Sequence, residues 1–287
     1  MTTLSIDTEL ERGKFRRGVM GSPGAILGMT FVVIIVLLAV FGPFFAPYSP
    51  VATIGIPGQA PTTAHILGLD FEGRDVLSRL LYGGRTTLFL CVAATLLTYA
   101  VGLTIGLIAG FTRSLVDSLL MRMVDVFLSL PALLVMLVMV SALGPGQMVL
   151  IVSSALVLFP GVARIVRTST LEVARRGYVE AATARGESTI SILRREILPN
   201  IAGPIIADLG LRFSWSIILI SSVNFLGLGI SPPNPDWGLM IAENRIIISE
   251  NLYAVLAPSV VIAILILGVN LVGDGFVRSL GESRGQS

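Results

Sequence analysis

Ionisable side chains are scarce in this chain, so the few that fall within apolar runs mark where chemistry would be done. Asp208 and Arg212 are four residues apart, on one face of a helix and near the end of an apolar run. That spacing suits an ion pair, serving either structure or a gate. Asn224 lies deeper in the next run and suits an interhelical hydrogen bond or a place on a path. Asp125 stands near another run's end. Hydrolytic chemistry has nothing to work with: HExxH and GxSxG are absent, and Lys14, the only lysine, is followed by phenylalanine, so no GxxxxGK[ST] phosphate loop exists. His65, the only histidine, sits in a polar loop, and Cys91, the only cysteine, sits among apolar residues. Neither builds a metal site or a disulfide, and no cofactor is expected on the chain itself.

The elements that must position these residues follow from composition. Of 287 residues, 54% are hydrophobic and 13% charged, and mean hydropathy is +0.87. Soluble domains carry about a quarter charged residues. The chain reads as an all-α polytopic membrane protein. Its arginines fall in the gaps between apolar runs rather than on a clustered basic face, which excludes nucleic acid as a partner.

Runs free of Asp, Glu, Lys and Arg cover residues 18–69, 86–112, 126–163, 213–235 and 251–273. A spanning helix needs about 20 apolar residues. The first run offers one span, 25–45, before Pro47, Pro50, Pro57 and Pro61 break any further helix. The run from Val126 to Ala163 holds two, joined by a turn at Gly144-Pro145-Gly146. With spans near 87–111, 204–230 and 254–272 the total is six transmembrane helices. Fifteen of the 20 basic residues, among them Arg12, Lys14, Arg16, Arg17, Arg113 and Arg284, then fall on one side. Arg74, Arg79, Arg85 and Arg245 fall on the other. Basic residues favour the cytoplasm, so the topology is N-in/C-in. The organisation is a cytoplasmic tail 1–24, a first helix 25–45, an outer loop 46–86, a five-helix core 87–274 and a cytoplasmic tail 275–287. The first span is too long for a cleaved signal peptide and lacks an A-x-A site.

Inside the core, one cytoplasmic loop, 164–203, is much longer than the others. Leu171–Arg185 has helical composition ending at Gly186, a suitable C-cap, and a second helix fits Ser188–Ile197, stopping before Pro199. The loop is a helix-turn-helix, read either as an amphipathic hairpin resting on lipid or as a handle for a partner. The second span carries Ala94, Thr98, Gly102, Gly106 and Gly110 at every fourth position, a seam of small residues that packs within the chain or on a sister subunit, the former favoured. Pro131 and Pro160 fall within the third and fourth spans, where kinks would be hinges or static bends. Trp237 and Tyr253 are expected as anchors at the outer interface, and the segment Pro232–Glu250 as an outer docking surface.

Glu180-Ala181-Ala182, then Gly186, then Leu198-Pro199 resembles the EAA loop of ABC-importer permeases. In that pattern an isoleucine stands where Glu196 is found, and Ile197 follows one position late. The Ile197–Asn200 ending is similar to that of the peptide and nickel branch. Leu67–Asp70, Gly73–Arg79, Asn224–Ile230 with Pro232-Pro233 and Trp237-Gly238, and Asn270–Gly275 resemble its C-type dipeptide and oligopeptide subunit, so that the resemblance covers roughly residues 20 to 280. It implies a permease in a prokaryotic plasma membrane, forming half of a translocation path with a sister permease in a heterodimer. Two ATP-binding subunits would carry ATP and Mg, and an extracytoplasmic substrate-binding protein would select the cargo. Peptides are the first substrate class implied, with nickel, glutathione or a haem-like ligand open. Glu180, Ala181, Ala182, Gly186, Glu187, Ser188, Leu198 and Pro199 would form the ATPase-coupling loop. The alternative is a secondary transporter or channel not driven by ATP, which needs ionisable groups near mid-membrane.

Overall fold

The computed structural model describes residues 22–112 and 115–284. The basic residues of the N-terminal tail and Arg113 lie outside the described residues. The described chain is helical, with two isolated antiparallel bridges, Thr53 with Arg74 and Leu69 with Asp75, in one connecting segment. In chain order the helices are α1 (Pro23–Phe45), α2 (Val76–Thr112), α3 (Leu115–Ser129), α4 (Ala132–Leu143), α5 (Gln147–Val173), α6 (Gly177–Ala184), α7 (Thr189–Ile192), α8 (Leu198–Phe225), α9 (Trp237–Asn244) and α10 (Tyr253–Arg284). A wide turn, Leu193–Ile197, joins α7 to α8.

Five of the resulting segments, α1, α2, α5, Thr189–Phe225 and α10, are long and apolar enough to cross a membrane. The pair α3 and α4 makes the sixth only if counted together, because it bends by 88°. The break falls at Leu130-Pro131, where proline cannot donate and its ring displaces the preceding turn. Pro160, by contrast, is carried inside α5 without a break.

Several helix ends differ from expectation for identifiable reasons. The second span begins at Val76 rather than near Thr87, because Asp75 caps it: its Oδ2 accepts from Ser78 N and Ser78 Oγ, both at 2.8 Å. The fourth continues ten residues past Ala163, so Arg164 and Arg167 ride on α5. The fifth starts at Leu198 and stops at Phe225, where Gly227 takes φ +76°. The last helix continues to Arg284, through most of the segment read as a tail.

Helices α2 and α5 run parallel and meet along the small-residue seam, which therefore packs within the chain. A Cβ on Gly102 would lie 2.7 Å from Val162 Cβ, one on Gly106 2.6 Å from Val166 Cβ, and one on Gly110 2.7 Å from Thr170 Cβ. Every four-residue step on α2 is answered by a four-residue step on α5. Ala94 and Thr98, two turns and one turn before Gly102, are fully buried, and Thr98 Oγ1 donates to Ala94 O at 2.8 Å. Leu90, Met136, Val140, Leu150, Ile217 and Ile220 form the main core, and Tyr99, Val166, Val179, Ala182, Ile192 and Ile201 form a second one that runs alongside the seam toward the hairpin. The outward residues of α1, such as Leu37 and Phe41, are apolar and half-exposed, as lipid contact requires.

Replacing Gly106 with alanine puts a methyl against backbone, 2.7 Å from Ala163 O, so Gly106→Ala should destabilise by about 1–3 kcal/mol. Gly273→Ala meets open space and should not lower stability. Thermal unfolding in detergent reads both.

Candidate functional site

The hairpin at one end of the bundle is built from α6, α7 and the turn between them. The expected helix from Leu171 is split: α5 ends at Val173, Arg176 N donates to Val173 O at 3.0 Å, and α6 starts at Gly177. Helix α6 buries only Val179 and Ala182, which join a core with Val166 and Val173 of α5 and with Ile192, Ile197 and Ile201, and leaves Glu180 and Ala181 exposed. Two bonds close its end, Gly186 N to Thr183 O at 3.0 Å and Glu187 N to Ala182 O at 3.2 Å. This closure needs a left-handed residue, and Gly186 supplies φ +77°. A side chain there would meet nothing within 4 Å, so the requirement is one of backbone alone. Glu187 accepts from Arg185 Nη2 at 2.6 Å, which holds its carboxyl below the usual carboxylate range. Ser188 caps α7, its Oγ accepting from Ser191 N at 3.4 Å. The second helix does not stop before Pro199. It passes through Leu193–Ile197 into α8, with Leu198 and Pro199 at the start of that helix.

Two interhelical ion pairs and one ion pair within α8 lie among the neighbouring helices. Asp208 Oδ2 receives Arg212 Nε and Tyr99 Oη, each at 3.0 Å, joining α8 to α2. The Arg212 guanidinium lies on α5 at Gly161, where a Cβ would stand 2.6 Å from Nη1. Arg167 makes a bidentate pair with Asp117 at 2.6 and 2.7 Å, and Arg164 meets Asp125 at 2.6 Å. Tyr99 and Asp117 escaped sequence reasoning because their partners are more than 45 residues away.

At the opposite end, residues 46–75 and 226–252 form a cap whose interior is charged. Asp70 and Arg79 are fully buried, as are Arg74 and Glu243 nearly so. Arg74 Nε donates to Asp70 Oδ2 at 2.7 Å, Arg79 Nη2 to Glu243 Oε2 at 2.6 Å, and Arg74 Nη1 reaches Glu72 at 2.7 Å. Neutral bonds add to the closure: Phe71 N to Asn244 Oδ1 at 3.0 Å, and Asn251 Nδ2 to Leu67 O at 2.9 Å. His65 Nδ1 stands 3.3 Å from Asp75 Oδ1. Sequence reasoning took the two arginines as topology markers and as part of the Gly73–Arg79 resemblance, without pairing them to acids. The signal it passed over was acids and arginines alternating through 70–79 in an otherwise uncharged stretch.

Beneath the cap, Asn224 is fully buried and holds the cap to α8. Its Nδ2 donates to Asp236 Oδ1 at 2.7 Å and its Oδ1 accepts from Ile230 N at 3.0 Å. Burial pushes the Asp236 carboxyl up, and donors from Thr87, Leu239, Asn224 and Gly238 pull it back. Trp237 is not an interface anchor. It is fully buried, with Nε1 donating to Leu80 O at 2.9 Å, because the Asp236 cap turns α9 into the bundle. Tyr253 is exposed.

Five apolar helices and one bent pair, with a helical hairpin at one end and a polar cap at the other, make a multi-pass helical membrane protein. Residues 102–284 match the family described as binding-protein-dependent transport system inner membrane component, and residues 14–61 match the N-terminal TM domain of oligopeptide transport permease C. The chain belongs to this family of ABC-importer permeases in prokaryotic plasma membranes. It is 34% identical to a di/tripeptide transport system permease protein of Pseudomonas aeruginosa over 90% of its own length and 87% of the relative's. It is 33% identical to a glutathione transport system permease protein of Pectobacterium atrosepticum, over 89% and 86%. Its fold is similar to a chain of the inward-facing MetNI methionine ABC transporter, with TM-score 0.56 and 20% identity, over 70% of this chain and 95% of that one.

Breaking one partner of a buried pair leaves the other uncompensated. Arg79→Met and Glu243→Met should each cost about 3–5 kcal/mol, and the double variant less than the two together. The double-mutant cycle, read by thermal unfolding, should change little at high salt because the pair is shielded from solvent ions.

Proposed function

We propose that the chain is one half of the translocation path of an ATP-driven peptide importer, with the hairpin in the cytoplasm gripped by an ATPase and the cap outside meeting a substrate-binding protein. The observation that carries this reading is the hairpin itself. It spends Val179 and Ala182 on the bundle and leaves Glu180, Ala181, Tyr178 and the Gly186–Ile190 tip uncovered. Between α6 and the end of α2 lies a groove of about 460 Å³, lined by Phe111, Thr112, Ala174, Val179, Glu180, Thr183 and Ala184. Its apolar wall with a single carboxylate suits a basic or amide side chain from the ATPase.

Closure of two ATPases on ATP and Mg would push the hairpin, and through α8 move Asp208, Arg212 and the helices around them. Six segments enclose half of a path, so a sister permease completes it. The peptide reading rests on the named relatives, two of which, at 34% and 33% identity, serve di/tripeptides and glutathione. An ion-driven alternative needs a carboxylate free to exchange partners. Asp208 is engaged by both Tyr99 and Arg212 and lends it little support.

Two experiments test the reading. Ile190 is exposed at the hairpin tip and Cys91 is fully buried. An Ile190→Cys thiol should therefore react with an impermeant maleimide in inside-out vesicles and stay unlabelled in right-side-out ones; the reverse pattern rejects the topology. Gly186→Val forces a β-branched residue into a left-handed conformation at a strain of about 1–2 kcal/mol. The assembled complex should hydrolyse ATP without stimulation by cargo and fail to transport peptide. Normal substrate-stimulated hydrolysis would count against coupling through this loop.

A further inference from the structure

The turn between the hairpin and α8 contains one residue too many for an α-helix. From Thr189 to Phe225 the backbone is helical throughout, yet Leu198 N donates to Leu193 O, five residues back. Burial gives the same count independently. Ile192, Ile197 and Ile201 are all essentially inaccessible and pack in one cluster with Val166 and Val173 of α5. Their spacing is five and then four. In an α-helix a residue five positions on is swung about 140° from the first, so Ile192 and Ile197 share a face only because the turn is widened.

The hydrogen-bond ladder is also thin there. Pro199 has no N–H to offer Arg195 O, and Glu196 O is reached by the Asn200 side chain, Nδ2 at 2.6 Å. Arg194 and Arg195 point to solvent on the outer side of the turn. One side of the joint is thus fixed by buried isoleucines, and the other is loosely bonded and exposed.

We propose that the Leu193–Ile197 turn is a compliant joint between hairpin and α8, and that its surplus residue, rather than any side chain in it, sets how hairpin motion reaches the membrane helices. Given the coupling role proposed for the hairpin, the joint lets the hairpin tilt with an ATPase while Ile192, Ile197 and Ile201 stay seated. A rigid α-helical connection would instead transmit every tilt to Asp208 and Arg212, three to four turns further on. Removing one exposed residue tests this without disturbing the packed face. Deleting Arg195 brings the isoleucines to an i, i+4, i+8 pattern, and pairing the deletion with Pro199→Ala restores a continuous ladder.

The experiment compares wild type, Arg195→Ala, Pro199→Ala and the deletion combined with Pro199→Ala, in the complete reconstituted transporter and as the purified permease chain. Hydrogen exchange of amides 193–200 and peptide transported per ATP hydrolysed are both measured. The expected result is exchange slowed at least ~10-fold and transport per ATP lowered at least ~10-fold in the deletion. Pro199→Ala, which alters an exposed position without changing length, should shift both about 2–3-fold in the same direction, and Arg195→Ala should leave both within about twofold. Unchanged exchange in the deletion, or in Pro199→Ala should the deletion not assemble, overturns the joint. So does a deletion variant that transports as many peptides per ATP as wild type. Failure of the wild-type chain to assemble with an ATPase instead overturns the coupling role, and exchange in the isolated chain still decides whether the turn is compliant.

Discussion

At Gly102, Gly106 and Gly110 the bare backbone of α2 receives Val162, Val166 and Thr170 of α5, and the rest of the bundle is arranged around that contact. Lipid supplies no hydrophobic drive for helices to associate, so close van der Waals approach has to do so. Because the two helices run parallel, α3 and α4 must return across the bundle between them, and α8 is left to pack on the flank of both. Tyr99, one turn before Gly102, is thereby brought under α8 to meet Asp208. Gly161, beside Val162 on α5, makes the seat for Arg212. The intramembrane charges are placed by the seam and neutralised by each other.

Charge is otherwise confined to the two ends, and it is used differently at each. At the cap, arginines and acids are buried against one another, which fixes the geometry of two sequence-distant segments at the cost of desolvation. At the hairpin end the basic residues stay exposed or pair at the surface, as Arg185 does with Glu187 and Arg164 with Asp125. Such pairs are weak and exchangeable. A rigid lid and an adaptable handle are what a protein needs when one end must hold its shape and the other must move with a partner.

The apolar segments, the turn at Gly144-Pro145-Gly146 and the small-residue seam were legible from sequence because each depends on local period or composition. The helix starts were less so. Arg79 and Arg85 made residues 76–86 look like loop, and only the tertiary partners Glu243 and the Val40 carbonyl show how a helix can carry them. Trp237 looked like an interface anchor because its burial depends on Asp236 and Leu80, neither visible as a partner in a one-dimensional pattern. Pro199 read as a stop signal, and the widened turn before it absorbs the missing donor instead. Gly186 was readable because a left-handed helix terminus leaves a local signature.

Helix α4 has 12 residues, a length of about 18 Å against a hydrocarbon layer of about 30 Å. Ser129, Leu130 and Pro131, at the head of that short helix, are exposed on the chain taken by itself. Non-helical peptide groups at such depth are tolerated only against other protein or against water. Wherever the break at Pro131 lies at the depth of the hydrocarbon, the bilayer around this polypeptide has to give way on the α4 side, to a neighbouring subunit laid across the notch or to a wet vestibule reaching inward to Pro131.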